Sequence, residues 1–195
     1  MKPTDGSKPH IIIMVGISGS GKSFFAEQFA RTFKSPIISF DQLRHKLFDK
    51  PIYSDHENKV VSQAANYMLD ELFKTGKTIT YEGPSNQRNE RTEIAKIART
   101  AGYNPMFIWV QTEPATAKRR SIKPTDGRKP MTNDQFESKL KQFSPPHSSE
   151  GAIVISGKHT YSTQMKIILK NIATPNPNPA ITTERPTRTN NILVR

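Results

Sequence analysis

Cysteine is absent from the 195 residues of the chain, so disulfide bonds and thiolate metal sites are excluded. Long apolar runs are absent as well, and none approaches the roughly 18 residues at which a membrane-spanning helix becomes a candidate. Residues 1–10 are polar, which argues against a signal peptide. The 5 histidines are scattered without the spacing of metal ligands. These absences predict a soluble, cytoplasmic protein without a membrane partner.

Acidic residues are in short supply, because 17 Asp and Glu stand against 29 Lys and Arg and give a formal net charge of +12. Such an excess indicates an anionic partner such as a nucleic acid, although a nucleotide site with its arginines would account for part of it. A basic surface that simply faces water is the alternative. The length suits one α/β domain with a modest core.

A glycine-rich run follows the first apolar segment of the chain. Residues 16–23, Gly-Ile-Ser-Gly-Ser-Gly-Lys-Ser, fit the pattern G-x-x-x-x-G-K-[ST] between a strand-like run at 11–15 and a helix-like run from residue 22. The glycines let successive backbone N–H groups point at phosphate oxygens, and the following helix adds its positive end. This run, called the phosphate loop below, predicts a nucleoside triphosphate site. A glycine- and serine-rich turn that contains a lysine by chance is the alternative.

The side chains of the phosphate loop have separate expected roles. Lys22 reaches the β- and γ-phosphates as a point charge, and the hydroxyl of Ser23 holds Mg²⁺. We therefore predict ATP and Mg²⁺ as cofactors, with Lys22 as a catalytic group. The predicted phosphate-binding residues are Gly16, Ser18, Gly19, Ser20, Gly21, Lys22 and Ser23.

Apolar, β-rich runs alternate with helical patterns along the chain, which is typical of β-α units and a parallel sheet covered on both faces. We predict an α/β three-layer sandwich around a central five-stranded parallel sheet. The predicted strands are residues 11–15, 36–40, 78–82, 106–110 and 152–155. The predicted helices are residues 22–33, 42–48, 55–74, 91–101, 114–121, 132–143 and 162–172.

The final segment changes in composition, with prolines among Asn and Thr throughout residues 173–195. Such a sequence buries too little apolar surface to offset the entropy cost of ordering. We predict a domain at 1–172 and a flexible tail at 173–195.

An acidic and a basic residue follow the second predicted strand. Ligands gather outside the carboxyl ends of strands in parallel α/β sheets, so Asp41 can reach a second substrate beside the phosphate loop and take the proton from its hydroxyl. Arg44 shares a helix face with Asp41 and could bind a phosphate or carboxylate through two hydrogen bonds. A helix N-cap is the alternative role of Asp41.

Together, the phosphate loop, the Asp41-x-x-Arg44 pair, Glu82 at the end of the third strand and Arg91 resemble the P-loop kinases grouped with phage-type polynucleotide 5′-hydroxyl kinase, an AAA-type set. The match covers residues 11–172. The resemblance implies a P-loop NTPase fold with a helical lid, and transfer of the γ-phosphoryl of ATP to a hydroxyl, with a nucleic acid or nucleotide as a candidate acceptor. It also implies that Asp41 is the general base and that Arg44 grips the phosphate next to the acceptor hydroxyl.

The segment after the third strand departs from that family, which usually has Asp-(Ala/Thr)-x-Asn there. This chain has Glu-Gly-Pro-Ser-Asn at 82–86, and we assign Glu82 to the metal because a glutamate can order Mg²⁺ through water. Arg88 and Arg91 follow near the start of a helix, and we predict that both bind the acceptor.

A basic segment at 117–123 resembles the lid of the same kinases, in which arginines close over the transferring phosphoryl group. Arg119 and Arg120 are the catalytic candidates, and we expect only one to act because neighbours on a helix point in different directions. The phosphate loop and residues 41–45 also resemble adenylylsulfate kinase, whose lid pattern residues 121–130 lack. Small-molecule kinases and an ATP-binding switch without an acceptor therefore stay open as alternatives.

Overall fold

A parallel sheet forms the centre of the computed structural model, which describes residues 8–123 and 130–173. Its strands are β1 (His10–Val15), β2 (Ile37–Ser39), β3 (Ile79–Glu82), β4 (Asn104–Gln111) and β5 (Ile153–Ser156). They lie in the order β2-β3-β1-β4-β5, and every neighbouring pair is parallel. The carboxyl ends of all the strands therefore meet at one edge of the sheet, which is where ligands of such sheets bind.

Helices supply the crossovers that parallel strands require. They are α1 (Lys22–Phe33), α2 (Phe40–Leu47), α3 (Asp55–Phe73), α4 (Arg88–Thr100), α5 (Pro114–Ile122), α6 (Asn133–Gln142) and α7 (Tyr161–Ala173), with a 3₁₀ turn at Ser148–Glu150. Hydroxyl side chains mark several helix starts. Ser54 accepts a hydrogen bond from the backbone N–H of Glu57 at 3.3 Å, and Thr132 accepts one from Gln135 at 3.2 Å.

Apolar side chains cover both faces of the sheet, so the strands read as continuous apolar runs. The odd-numbered residues of β1 (Ile11, Ile13 and Val15) pack with α3 and α4, whereas Ile12 and Met14 pack with α1 and α7. This arrangement confirms the predicted three-layer sandwich with a five-stranded parallel sheet. Phe107 and Trp109 of β4 pack on the first of these cores.

The second β-α junction differs from the sequence prediction in a way that matters for the site. Strand β2 ends at Ser39 and helix α2 begins at Phe40, so Asp41 lies in the first turn of the helix. Ser39 is the N-cap, and its hydroxyl accepts from the backbone N–H of Gln42 at 3.4 Å. The alternative in which Asp41 caps the helix is therefore wrong, because the serine before it has the extended backbone that a cap requires.

Parts of the predicted lid and tail fall outside the described residues. Residues 124–129 belong to the segment compared with kinase lids, and 174–195 make up nearly all of the predicted tail. Within 8–123 and 130–173, no helix combines the length and the apolar character that crossing a membrane would demand.

Candidate active site

The phosphate loop connects the end of β1 to the first turn of α1 with a backbone that only glycines tolerate. Gly16, Gly19 and Gly21 have φ angles of +146°, +75° and +106°. A Cβ on Gly19 would lie 2.2 Å from the carbonyl oxygen of Ala117 in α5. The loop is thus held against the predicted lid helix, and its cradle depends on residues without side chains.

Polar groups of the loop are arranged for an anion. Lys22 Nζ lies across the loop and donates to the carbonyl oxygens of Gly16 at 2.6 Å and Ile17 at 3.0 Å. The first turn of α1 contains no acidic residue. The Oγ of Ser20 is buried without a hydrogen-bond partner among the described residues. Because cation, helix N-terminus and glycine-lined cradle converge here, the loop fits the phosphates of a nucleotide.

A hydroxyl and carboxylate cluster adjoins the loop. Both Ser23 Oγ and Ser39 Oγ donate to the Glu82 carboxylate, the latter at 3.1 Å. Ser39 pairs with Glu82 in the parallel register of β2 and β3, so the two strand ends present their side chains together. Ser39 was not among the site residues predicted from the sequence, although its place at the end of a predicted strand was a usable signal.

Hard oxygen ligands of this kind suit Mg²⁺, which commonly takes one or two protein ligands and completes its shell with phosphates and water. Ser23 and Glu82 would hold the ion, with Ser39 orienting the carboxylate. Among residues 8–123 and 130–173, no group of three or more His, Asp or Glu could bind a metal alone. A metal at this place would therefore depend on the nucleotide for most of its ligands.

Asp41 emerges at the same edge of the sheet. Its half-exposed carboxylate accepts a hydrogen bond from the hydroxyl of Tyr53 at 3.1 Å, and His45 Nδ1 lies 3.9 Å from the same oxygen. Gln42 Nε2 donates to Glu27 Oε1 at 3.1 Å and so joins α2 to α1, the helix that begins at the phosphate loop. Asp41 therefore lies at the carboxyl edge of the sheet, on a helix joined to the one that begins at the phosphate loop.

Arg44 is placed differently from the sequence prediction. Its Nη1 donates to Glu57 Oε2 at 3.1 Å and its Nη2 donates to Asn58 Oδ1 at 2.7 Å, while only 7% of the residue is exposed. The guanidinium also lies 4.7 Å from the ring centre of Tyr53. The predicted grip on an acceptor phosphate is corrected here, since the charge of Arg44 is paired inside the α2–α3 contact.

Arg91 is also an internal group. Its fully buried side chain donates from Nε and Nη2 to both oxygens of Glu150, at 2.6 Å and 3.0 Å, and from Nη1 to the carbonyl oxygens of Ser85 and Ser144. It ties the loop after β3 to the 3₁₀ turn and does not face an acceptor, which corrects the prediction for this residue. Arg88, at the start of α4, is exposed and stays a candidate for binding the acceptor.

The two lid arginines occupy different positions on α5. Arg120 Nη1 donates to the carbonyl oxygen of Gly157 at 3.1 Å, and Gly157 packs so closely that a Cβ there would lie 2.0 Å from Ser20 O. Both arginines are exposed. Because the contact with Gly157 holds Arg120 beside the phosphate loop, Arg120 is favoured over Arg119 as the arginine that would reach a phosphoryl group.

Two cavities differ in chemistry and place. A polar cavity of about 330 Å³ lies at the carboxyl ends of β4 and β5, next to the Thr112 hydroxyl that donates to Ser20 O at 2.9 Å. A larger, apolar cavity of about 520 Å³ lies at the opposite edge of the sheet, between the end of α1 and α7. The larger cavity is remote from the phosphate loop, so its size does not mark it as the nucleotide site.

Fold and site together define a nucleotide-binding protein with a P-loop NTPase fold. Residues 11–146 match the sequence family described as AAA domain. The chain belongs to this family, whose match spans both the phosphate loop and the lid segment. No curated protein sequence matches the chain.

Solved structures with the same fold include kinases of several substrates. A gluconokinase from Sinorhizobium meliloti 1021 is 17% identical, with a TM-score of 0.62 over 85% of this chain and 92% of that one. Mycobacterium tuberculosis APS kinase CysC, solved with AMPPNP and APS, is 16% identical, with a TM-score of 0.61 over 86% and 99%. A chain of the Pnkp1/Rnl/Hen1 RNA repair complex is 18% identical, with a TM-score of 0.62 over 71% of this chain and 45% of that one. These likenesses support a kinase-like P-loop fold.

Proposed function

We propose that the protein is an Mg²⁺- and ATP-dependent phosphotransferase that moves the γ-phosphoryl of ATP to an acceptor hydroxyl. The observation that carries the proposal is the Asp41 carboxylate at the same sheet edge as the phosphate loop, on a helix joined to α1. A switch that only binds ATP has no use for a base opposite its phosphates. The kinases among the structural neighbours support the same class of reaction.

The proposed reaction assigns one role to each group. Asp41 accepts the proton of the acceptor hydroxyl as its oxygen attacks the γ-phosphorus, and the bond from that phosphorus to the β–γ bridging oxygen breaks to release ADP. Lys22 and Arg120 offset charge on the transferring group, as the contact of Lys22 with Gly16 in the loop and that of Arg120 with Gly157 beside the loop suggest. A bound Mg²⁺ would neutralise further phosphate charge, held by Ser23 and Glu82.

The acceptor has two candidates, each favoured by a different observation. The net charge of +12 favours a nucleic acid or nucleotide 5′-hydroxyl, in keeping with the narrower resemblance to phage-type polynucleotide kinases. The internal pairing of Arg44 and Arg91 favours a small molecule, because it removes two of the cations expected to bind acceptor phosphate. Cytoplasmic placement stays a prediction.

A transfer screen with γ-labelled ATP and Mg²⁺ tests the proposal. Oligonucleotides, nucleosides, tRNA and sugars would be offered separately to the full chain and to Lys22→Ala as the control. We expect label on one class of acceptor with the unaltered chain and at least tenfold less label with Lys22→Ala. The variant lacks the positive charge that would contact the β- and γ-phosphates. ATP hydrolysis without labelling of any acceptor would favour a nucleotide-dependent switch instead.

A further inference from the structure

Tyr53 has an unusual backbone for its residue type. Its φ angle is +60°, in the left-handed region that disfavours any residue with a Cβ. Lys34 shares this conformation, but Lys34 caps the end of α1, where it is common. Tyr53 instead lies in the loop at 48–54 between α2 and α3, and its side chain is on the acceptor side of the molecule with Asp41.

One buried carboxylate holds this strained turn. Glu57 accepts hydrogen bonds from the backbone N–H groups of Ile52 at 2.9 Å and Tyr53 at 2.7 Å, and from Arg44 at 3.1 Å. The Ile52 N–H is the largest of the causes that lower the pKa of Glu57, so this carboxyl stays ionised. Arg44 in turn lies under the Tyr53 ring. A strained backbone that is held in place by this many contacts tends to occur where function needs a defined geometry.

The turn delivers a hydrogen-bond donor to Asp41. Burial, followed by the negative charge of Asp41, raises the pKa of Tyr53 to about 12, so the hydroxyl keeps its proton at neutral pH. That hydroxyl donates to Asp41 Oδ1 at 3.1 Å. The other titratable or charged groups next to this pair are His45, Arg44 and Glu57.

We propose that Tyr53 is a positioning residue for Asp41, holding the carboxylate through Oδ1 so that Oδ2 receives the acceptor proton, and that the Arg44–Glu57 pair serves to hold Tyr53. This inference rests on the proposed phosphotransferase function. It gives Arg44 a task at the site without contact to the acceptor, and it gives a reason for a tyrosine at a φ angle where glycine would be unstrained.

Removing one hydroxyl tests the idea with little risk to the fold. In Tyr53→Phe the Asp41 carboxylate loses the hydroxyl donor that fixes its orientation through Oδ1. The kcat for phosphoryl transfer should fall about tenfold through misplacement of the base, with the KM for ATP unchanged. Tyr67→Phe is the control, because Tyr67 is an exposed tyrosine of α3 outside the cluster.

A second readout needs no acceptor. Carboxyl NMR of the full chain labelled with ¹³C, recorded at pH 7, should show the Asp41 side-chain resonance displaced in Tyr53→Phe and in Glu57→Gln, because these variants remove or release the hydroxyl that donates to Oδ1. The same resonance should be unchanged in Tyr67→Phe. An Asp41 carboxyl resonance at the same chemical shift in Tyr53→Phe as in the unaltered chain overturns the inference. Full transfer by Tyr53→Phe beside lost transfer by Asp41→Asn also overturns it and leaves the phosphotransferase standing. Absence of transfer by the unaltered chain to every acceptor class overturns both.

Discussion

At the scale of single residues, the phosphate loop depends on glycines for two separable reasons. Gly19 combines a φ of +75° with contacts that leave no room for a Cβ. Gly76 has a similar φ of +65° but open space around the position of a Cβ. The two glycines therefore form a matched pair that separates backbone strain from steric exclusion.

We predict that Gly76→Ala lowers the free energy of unfolding by about 1 kcal/mol, the cost of a left-handed residue with a Cβ. Gly19→Ala should cost about 2 to 4 kcal/mol, because overpacking against Ala117 adds to the strain, and should weaken ATP binding at least tenfold. Denaturant unfolding and calorimetry with ATP would measure both effects. Equal losses for the two variants would show that the loop is not packed against α5 as described.

The phosphate-loop residues were predictable because their pattern is local, whereas the partners of the arginines were not. Arg44 pairs with Glu57, 13 residues away, and Arg91 pairs with Glu150, 59 residues away. Such pairs depend on how helices pack, and helical spacing within one segment carries no information about them. Tyr53 was missed for the same reason, since its contact with Asp41 follows from a turn held by α3.

At the scale of elements, the Arg91–Glu150 pair joins α4 and the loop after β3 to the 3₁₀ turn. The hydrogen bond from Arg91 holds the pKa of Glu150 below its ordinary value of 4.5. A carboxyl whose pKa is lower in the folded state contributes stability above its unfolded pKa. That contribution is lost as the pH falls from about 4.5 through the lower pKa of the folded protein.

We predict that Glu150→Gln is less stable than the unaltered protein by about 3 kcal/mol at pH 7, since it leaves the buried Arg91 guanidinium without its counter-charge. The difference should shrink as the pH falls from about 4.5 through the lowered pKa of Glu150 in the folded protein. Urea unfolding at several pH values measures this. Glu71→Gln is the control, because the exposed Lys74–Glu71 pair should contribute little to the free energy of unfolding. A difference in the free energy of unfolding between Glu150→Gln and the unaltered protein that stays constant with pH would contradict a stabilising Arg91–Glu150 ion pair.

The elements themselves were largely predictable from apolar periodicity. All the predicted strands and helices have a counterpart in the described structure, and the errors lie at their ends. Helix α2 begins two residues earlier than residue 42, and α4 begins at Arg88 in place of residue 91. Ends depend on which polar group caps the helix, and Ser39 and Asp41 are both good caps by residue type.

At the scale of the whole molecule, the charge excess and the local site point to different acceptors. Of the three arginines first assigned to the acceptor, only Arg88 is exposed, because Arg44 and Arg91 are paired internally. Binding to a single strand weakens with salt roughly in proportion to the number of phosphates that the protein neutralises. The salt dependence of oligonucleotide binding therefore indicates how many cationic side chains contact the phosphates of the acceptor.

We predict that binding of a short single-stranded oligonucleotide with a 5′-hydroxyl changes by less than about threefold between 50 and 200 mM salt, as expected for about one neutralised phosphate. Fluorescence anisotropy at the two salt concentrations would measure it, with Arg88→Ala as the variant that removes the remaining dependence. A loss of about a hundredfold or more would mean that other basic residues form a polyanion track, and would favour the nucleic-acid acceptor.

The most direct test of the phosphotransferase proposal is γ-phosphoryl transfer by Asp41→Asn, measured beside its affinity for ATP. We predict transfer lowered by about 10² to 10⁴, the range for loss of a general base, with ATP affinity unchanged. The helix should still form, because Ser39 and not Asp41 is its cap. Asp55→Asn, a matched change in the first turn of α3, should transfer normally. Normal transfer by Asp41→Asn would contradict the proposed role of Asp41 as the general base.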